Sequence, residues 1–171
     1  ARENGADVLG HEKNMGYGAT MQTLLRKARE LGADVLVVFD GDGQHDPDEI
    51  PELIKPILEG RADIVIGSRF MKGARMDIPL YRRIGILFIT LLTRIASSYP
   101  ISDAQSGFRA YGSRAIHQLK ITDNGWGSSI EIFFKARDAG LRIVEIPVDC
   151  SYEDYPKACL LYTSPSPRDR T

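Results

Sequence analysis

The chain has 171 residues, 43% of them hydrophobic and 26% charged, which is enough for one globular domain with a sizeable core. Its formal net charge of -1 lacks the basic excess typical of proteins that bind nucleic acid, so no nucleic-acid partner is expected. The two cysteines match neither a zinc site nor a disulfide framework, which favours a reducing, cytoplasmic compartment.

The first half of the chain alternates between strand and helix patterns. A short strand is predicted at 7–12, followed by a glycine turn and a helix that begins near Tyr17 and ends at Gly32. Residues 35–39 form a continuous run rich in β-branched residues, as expected of a strand covered on both faces in a parallel sheet.

A second strand–helix–strand unit continues from there. Asp46 is a predicted N-cap with Pro47 at the first helical position, and Gly60 ends the helix. The apolar run at 63–67 predicts the next strand. Short links at this spacing predict an α/β fold with a mostly parallel sheet, parallel pairing and right-handed crossovers.

The second half continues the α/β pattern after a basic loop. Its predicted elements are, in order, a helix at 80–96, a polar glycine-containing loop at 102–110, helices at 113–119 and 128–139, and a strand at 142–149. The tail at 156–171 has no helical or strand period, so we expect it to be disordered and non-native.

The helix at 80–96 has two interpretations. Its polar side carries Arg82, Arg83 and Arg94. On period alone it is an ordinary helix that faces the core. Alternatively it is interfacial, with its apolar face in the lipid boundary and its arginines near headgroups or a lipid phosphate. The apolar positions are Leu80, Ile84, Leu87, Phe88, Leu91 and Ile95.

The run VLVVFDGDGQHDP, residues 35–47, places two carboxylates on a turn where a predicted strand ends. Asp40 and Asp42 can point into one crevice, and Gln44 can add an amide oxygen. Mg2+ and Mn2+ prefer oxygen ligands and often combine one or two carboxylates with substrate phosphates. Open α/β sheets bind ligands at this edge. The alternative is a surface turn that uses Asp and Gly only for its geometry.

Arginines supply candidate phosphate-binding groups, because a guanidinium binds phosphate in a bidentate way that lysine does not match. Arg69 leaves the strand at 63–67 at its C-terminal end, and Arg82 and Arg83 begin the next helix. Arg69 is the strongest candidate because of where its strand ends. For the other arginines a solvated surface position is the simpler interpretation.

Three further residues are candidates on weaker grounds. Arg109 and Asp103 share the polar loop at 102–110, where they are candidate substrate ligands. Glu131, in the helix after Trp126, fits either a base or ligand for a sugar hydroxyl, or an ordinary surface glutamate.

Four segments, in this order and spacing, resemble the family 2 glycosyltransferases. They are FDGDGQHDP, DIVIGSR, DAQSGFR and GLRIVEIPV, and NMGYGAT is similar to the family's segment before the metal strand. The most similar branch is that of the dolichol-phosphate (polyprenol-phosphate) mannosyltransferases and their glucosyl relatives. The resemblance covers residues 1–155 and implies a partial GT-A (Rossmann-like) domain.

The resemblance implies inverting transfer of a hexose, mannose or glucose, from a nucleotide-diphospho-sugar to polyprenyl or dolichyl phosphate. A peripheral position at the cytoplasmic face of the membrane, with Mg2+ or Mn2+ as cofactor, is expected with it. Arg69 is expected to meet the acceptor phosphate, helped by Arg82 or, alternatively, by Arg83. The residues expected to hold the metal and diphosphate are Asp40, Asp42 and Gln44.

The resemblance has departures that leave alternatives open. The family's opening strands, with their YNE-like and DDGS-like motifs for base and ribose, are not found, so we expect a raw sheet edge and poor binding of nucleotide-sugar. SYEDYP stands where the mannose branch has a basic motif, which weakens a claim to mannose. A saccharide acceptor, a nucleotidyltransferase or an inactive nucleotide-binding fragment remain alternatives.

Overall fold

Helices flank a single sheet in the computed structural model, which describes residues 3, 5–75 and 78–150. The predicted tail at 156–171 lies outside the described residues. The helices are α1 Tyr17–Glu30, α2 Ile50–Leu58, α3 Leu80–Ser97, α4 Ser113–Gln118 and α5 Ser128–Asp138. The strands are β1 Val35–Val38, β2 Ile64–Ser68, β3 Arg109–Gly112 and β4 Ile143–Pro147.

The sheet has the strand order β1-β3-β2-β4. Strand β3 pairs antiparallel with both β1 and β2, whereas β2 and β4 pair in parallel. Strands β1, β2 and β4 therefore share one direction, and the predicted α/β class is confirmed. The expected parallel pairing of β1 with β2 is wrong, because β3 lies between them.

Strand β3 begins inside the segment at 102–110 that is predicted to be a loop, and it continues to Gly112. All four of its residues, Arg109–Gly112, are buried. Its central position compensates for its short length, because both of its edges bond to neighbouring strands. The antiparallel direction also brings its preceding loop to the carboxyl ends of β1 and β2.

Apolar side chains cover both faces of the sheet, as the continuous apolar strands predicted. On β2, Ile64 and Ile66 pack with the helices α1, α4 and α5, while Val65 faces α2. This alternation is the two-residue period of a strand. It fixes the direction in which β2 delivers the residue that follows it, Arg69.

Two local predictions near the N-terminal half have different outcomes. Residues 7–12 are exposed and form no strand, since no described strand accepts their backbone hydrogen bonds. The predicted cap at Asp46 is confirmed, because its side chain accepts a hydrogen bond from the backbone N–H of Asp48 at 2.9 Å. A 3-10 turn at Pro47–Glu49 leads from it into α2.

Helix α3 turns its apolar stripe away from the protein, so the core-facing interpretation is wrong for the described structure. Phe88 is 62% exposed and Ile95 is 71% exposed. Thr90 faces inward instead, where its hydroxyl accepts a hydrogen bond from the backbone N–H of Ala104 at 3.1 Å. Within the described ranges, no helix combines the length and hydropathy needed to cross a bilayer. The buried positions of α3 are Ile86, Thr90, Thr93 and Ser97.

Candidate functional site

A cleft of about 430 Å³ lies where β1 and β2 end. Asp40 reaches it two residues after β1, Arg69 directly follows β2, and Arg82 comes from the first turn of α3. The loop 105–107, which precedes the antiparallel β3, forms another wall. The structure thus brings three of the predicted site residues, from three separate segments, into one cavity.

Asp40 lies at this cleft among several ionisable side chains that shift its pKa. Partial burial raises the pKa of its carboxyl group, and the neighbouring Asp42 raises it further, while His45 and Arg69 lower it, with a net result above the ordinary value. Gly107 lies against the carboxylate, since a Cβ there would be 2.6 Å from Oδ2 of Asp40. A glycine at this position therefore leaves room for the acid.

The other two predicted metal ligands lie on the turn beside the cleft. Asp42 is exposed, and its Oδ1 accepts a hydrogen bond from the backbone N–H of Gln44 at 3.0 Å. The side-chain oxygen of Gln44 accepts a longer contact from Sγ of Cys150 at 3.9 Å. Asp42 lies near enough to Asp40 for its charge to act on the Asp40 carboxyl group.

The carboxylates of Asp40 and Asp42 suit a divalent cation that takes further ligands from a bound substrate. Among the described residues there is no group of three or more His, Cys, Asp or Glu side chains arranged to enclose a metal. Asp40 and Asp42 instead supply two mutually repelling carboxylates beside an open cleft. Such a pair suits Mg2+ or Mn2+, whose remaining ligands are commonly phosphate oxygens and water.

His45 follows the acidic turn but is buried rather than exposed to the cleft. Its ring lies 5.0 Å from that of Phe108, and its Nδ1 has no hydrogen-bond partner within the described structure. Burial lowers its pKa and Arg69 lowers it further, whereas a hydrogen bond to the backbone of Asp149 and the two acids raise it, leaving the pKa below its ordinary value. The His45 ring therefore packs against Phe108 in the interior.

Arg69 is held by a buried ion pair with Asp103. Its Nε donates to Oδ2 of Asp103 at 2.7 Å and its Nη2 to Oδ1 at 2.9 Å, and Asp103 is fully buried. Glu145 on β4 fixes the loop in turn, since its carboxylate accepts from the backbone N–H groups of Ser102 and Asp103. Asp103 thus orients Arg69 rather than facing the cleft, which argues against direct substrate contact.

The two arginines at the start of α3 lie on different sides of the helix. Arg82 is partly buried and lines the cleft, whereas Arg83 is exposed and does not line it. Consecutive residues on an α-helix point about 100° apart, so only one of the two can face the cavity. The structure therefore favours Arg82 over the alternative that the sequence left open.

Arg109 and Glu131 serve the scaffold in this structure. Arg109 is 1% exposed, and its guanidinium donates to the carbonyl oxygens of Ser106, Ala104 and Ser129. Glu131 accepts hydrogen bonds from the loop before α5 and does not line the cleft. For both residues these bonds argue against the predicted contact with substrate.

Sequence reasoning missed four residues that shape the site. Gly107 and Glu145 act through the contacts described above, and Tyr17 and Trp126 line the cleft with stacked rings. An acid within the apolar strand segment RIVEIPV was the available signal for Glu145. The other three carry no local pattern, since their neighbours come from distant parts of the chain.

Known proteins match this chain at the level of family and of fold. A family model described as "Glycosyl transferase family 2" matches residues 2–120. The UDP-N-acetylglucosamine--dolichyl-phosphate N-acetylglucosaminyltransferase of Methanococcus voltae is 35% identical over 88% of this chain and 61% of its own length. The undecaprenyl-phosphate mannosyltransferase of Micrococcus luteus is 34% identical over 86% and 62%. The chain spans less than two thirds of either relative.

Solved structures of a similar shape include the glucosyl-3-phosphoglycerate synthase of Mycobacterium tuberculosis. Its complex with phosphoglyceric acid superposes with a TM-score of 0.61 at 20% identity and covers 92% of this chain and 52% of that one. Its complex with Mn2+ and UDP-glucose has a TM-score of 0.60, also at 20% identity, over 92% of this chain and 51% of that one. At this identity the likeness concerns the fold, and it confirms the predicted GT-A class.

Proposed function

Because this chain belongs to glycosyl transferase family 2, we propose that the protein transfers a hexose from a nucleotide-diphospho-sugar to polyprenyl phosphate, with inversion and with the help of Mg2+ or Mn2+. The observation that carries the proposal is the shared cleft of Asp40, Arg69 and Arg82. An acid suited to a cation and two guanidinium groups suited to a phosphate monoester face one cavity. Transfer between two phosphate-bearing substrates can use both kinds of group.

The proposed reaction joins the lipid phosphate to the sugar. A phosphate oxygen of the acceptor forms a bond to the anomeric carbon while the bond to the nucleoside diphosphate breaks, and attack from the opposite face inverts the centre. A phosphate monoester has a second pKa of about 6, so it is largely ionised near neutral pH. Asp40 is the one carboxylate among the described residues that line the cleft. The arginines therefore position a nucleophile that needs no general base.

Each residue of the site has a defined part in this proposal. Arg69, locked by Asp103, and Arg82 bind the acceptor phosphate with charge-assisted hydrogen bonds. Asp40 and Asp42, with Gln44, would hold the cation against the donor diphosphate. When bound, the cation offsets the negative charge that develops on the leaving nucleoside diphosphate.

The exposed face of α3 supports a membrane-bound acceptor. Its apolar stripe faces outward beside the arginines of its first turn, and the helix contains no acidic residue. An amphipathic helix of this kind lies in the boundary between headgroups and acyl chains. We propose that α3 rests on the cytoplasmic face of the membrane, where a polyprenyl phosphate can reach Arg82. Residues 1–155 would then form part of the catalytic domain.

The test is a transfer assay with the full-length protein. Radiolabelled UDP-N-acetylglucosamine, UDP-glucose and GDP-mannose are each incubated with undecaprenyl phosphate and Mn2+, and the organic-soluble product is measured with and without a chelator. We expect metal-dependent label in the lipid fraction from one of the two hexose donors, UDP-glucose or GDP-mannose, with the opposite anomeric configuration by NMR. Label from UDP-N-acetylglucosamine alone would replace the hexose by an N-acetylhexosamine. No label in the lipid fraction with any of the three donors, or label that is insensitive to the chelator, would contradict the proposal.

A further inference from the structure

Tyr17 and Trp126 form a stacked aromatic pair at the cleft. Their ring centroids are 5.4 Å apart and their planes differ by 4°. Both line the same cavity as Asp40, yet Trp126 is 71% exposed. An indole ring held this openly beside polar groups leaves a large apolar face in water, which favours a ligand that covers it.

The aromatic pair is held by two chain segments, the start of α1 and the loop before α5, whose backbones are in close contact. The backbone N–H of Gly18, next to Tyr17, donates to the carbonyl of Asn124 at 2.9 Å. A Cβ at Gly18 would be 1.9 Å from the carbonyl oxygen of Asp123, and one at Gly16 would be 2.3 Å from that of Asn124. The glycines of NMGYGAT therefore allow the start of α1 to approach the loop that carries Trp126.

The loop before α5 is fixed from its other side by Glu131. Its carboxylate accepts from the backbone N–H of Thr122 at 3.0 Å, from the hydroxyl of Thr122 at 2.6 Å and from the backbone N–H of Asp123 at 2.9 Å. The carbonyl of Trp126 accepts from the backbone N–H of Ser129 at 3.2 Å. These bonds set the position of the indole ring before any ligand arrives, which lowers the ordering cost of binding.

We propose that the Tyr17–Trp126 pair is the platform on which the transferred sugar packs with its apolar C–H face. This inference rests on the proposed function and assigns a subsite to it. The sugar is the group attached to the donor diphosphate, and Asp40 lies within electrostatic reach of the Tyr17 hydroxyl. Burial raises the pKa of that phenol, Arg109 lowers it and Asp40 raises it, with a net upward shift.

The residues that line the cleft beside the aromatic pair favour a sugar over a prenyl chain at this position. Gln105, Ser106 and Ser129 line the cleft together with the aromatic pair, and the exposed side-chain amide of Gln105 can exchange hydrogen bonds with sugar hydroxyls. The apolar lining comes from Ile86 and Ile89 of α3, next to the exposed stripe of that helix. A pocket that pairs aromatic area with a few polar groups is typical of a small polar ligand.

The experiment compares affinities for a nucleotide-sugar and for the bare nucleotide in the full-length protein. Isothermal titration with Mn2+ uses UDP-N-acetylglucosamine, UDP-glucose and GDP-mannose, each against UDP or GDP, on the wild type and on Trp126→Ala, Trp126→Phe and Leu58→Ala. Leu58 is 68% exposed on α2 and does not line this cleft, so it controls for loss of an exposed apolar side chain.

We expect the wild type to bind one nucleotide-sugar more tightly than its nucleotide. Trp126→Ala should weaken that nucleotide-sugar by about tenfold, equivalent to about 1.4 kcal/mol, with the affinity for the nucleotide unchanged. Trp126→Phe should stay within about threefold of the wild type, since it keeps an aromatic face. Leu58→Ala should match the wild type.

Three results would overturn the platform. They are equal affinity of the wild type for nucleotide-sugar and nucleotide, equal losses for both ligands in Trp126→Ala, and no loss for either. Equal losses would place the nucleobase on the rings instead. Failure of the lipid transfer assay alongside sugar-dependent binding that needs Trp126 would contradict the proposed acceptor and leave the platform supported.

Discussion

Arg69 and Asp103 meet in a two-pronged ion pair, with Nε to Oδ2 at 2.7 Å and Nη2 to Oδ1 at 2.9 Å, and Asp103 has no exposed surface. The geometry matches the fork of a guanidinium to the two oxygens of a carboxylate. It turns a flexible side chain into a fixed one at the end of β2. The same pair therefore links the stability of the loop at 102–110 to the position of a proposed phosphate ligand.

Removal of the acid should destabilise the protein strongly. Asp103→Ala leaves the buried guanidinium without its carboxylate, and breaking such a pair costs about 3–5 kcal/mol. Urea denaturation of the variant and the wild type measures the difference in the free energy of unfolding. A loss below about 1 kcal/mol would show that the pair is a weak, solvent-screened contact.

Replacement of both partners separates folding from function. Arg69→Met combined with Asp103→Leu should recover part of the free energy of unfolding that Asp103→Ala loses, because apolar residues of similar volume can replace a buried ion pair. Recovery is incomplete because the backbone N–H groups of Arg69 and Gln105 lose their acceptor on Asp103. The acceptor KM of this double variant should nevertheless stay raised, while the donor KM changes little. A normal acceptor KM would remove Arg69 from the acceptor site.

The two arginines of the first turn of α3 offer a matched comparison. Arg82→Ala should raise the acceptor KM by at least about tenfold, as expected for the loss of a charge-assisted hydrogen bond to phosphate. Arg83→Ala removes the same charge from an exposed position outside the cleft and should change the acceptor KM by less than about twofold. Equal effects would indicate that both act through general electrostatic attraction.

Gly107 allows a test of the acidic turn that leaves the carboxylates in place. In Gly107→Ala the new Cβ would lie 2.6 Å from Oδ2 of Asp40, so the carboxylate must move. We expect the Mn2+ concentration that gives half-maximal transfer to rise by about tenfold, the effect of some 1.4 kcal/mol in binding. Gly41→Ala is the control, because a Cβ there meets nothing within 4 Å. If the Mn2+ concentration for half-maximal transfer were unchanged in Gly107→Ala, Asp40 would not be a metal ligand.

The sequence predicted the parts of this site that depend on position along a strand. Asp40 and Arg69 could be placed in one crevice because each follows an apolar strand, and strands of like direction end at the same edge. Arg82 required the structure, since a period of 3.6 defines a helix face without saying which face meets the protein. On α3 that ambiguity mattered, because the inward face is formed by Ile86, Thr90, Thr93 and Ser97 instead of the apolar stripe.

Other features were beyond sequence reasoning because they depend on contacts between distant segments. Arg109 resembled a ligand-binding arginine, yet its position on the central strand β3 surrounds it with backbone carbonyl oxygens that satisfy its charge. The stacking of Tyr17 on Trp126 joins residues more than 100 positions apart. No local periodicity reports such a pair.

At the opposite end of the sheet, Asp63 predicts how stability depends on pH. It accepts hydrogen bonds from the backbone N–H, Nε and Nη2 of Arg142. Burial raises the pKa of Asp63. The hydrogen bonds and charge of Arg142, together with the charge of Arg114, lower it by more, so the net pKa lies below its ordinary value. A depressed pKa in the folded state stabilises the protein above the unfolded-state pKa of about 4, and this contribution is lost as pH falls through the folded-state pKa.

We therefore expect Asp63→Asn to lower the free energy of unfolding at pH 7 and to flatten its decline between about pH 5 and pH 2. Urea denaturation at a series of pH values measures both effects. Asp138→Asn is the control, since the Asp138 side chain is 64% exposed. If the free energy of unfolding of Asp63→Asn fell between about pH 5 and pH 2 as steeply as that of the wild type, other carboxylates would account for the acid sensitivity.

The outward stripe of α3 gives a prediction for the membrane. Phe88→Gln combined with Ile95→Gln should weaken binding to vesicles of phosphatidylglycerol and phosphatidylcholine by about tenfold or more, since each side chain buries apolar area worth roughly 1.5–3 kcal/mol when it leaves water. The fold should be unaffected, because these side chains are 62% and 71% exposed. Leu31→Gln, at a position 68% exposed beyond α1, is the control. Co-sedimentation measures the binding, and equal binding of all three proteins would show that another surface meets the membrane.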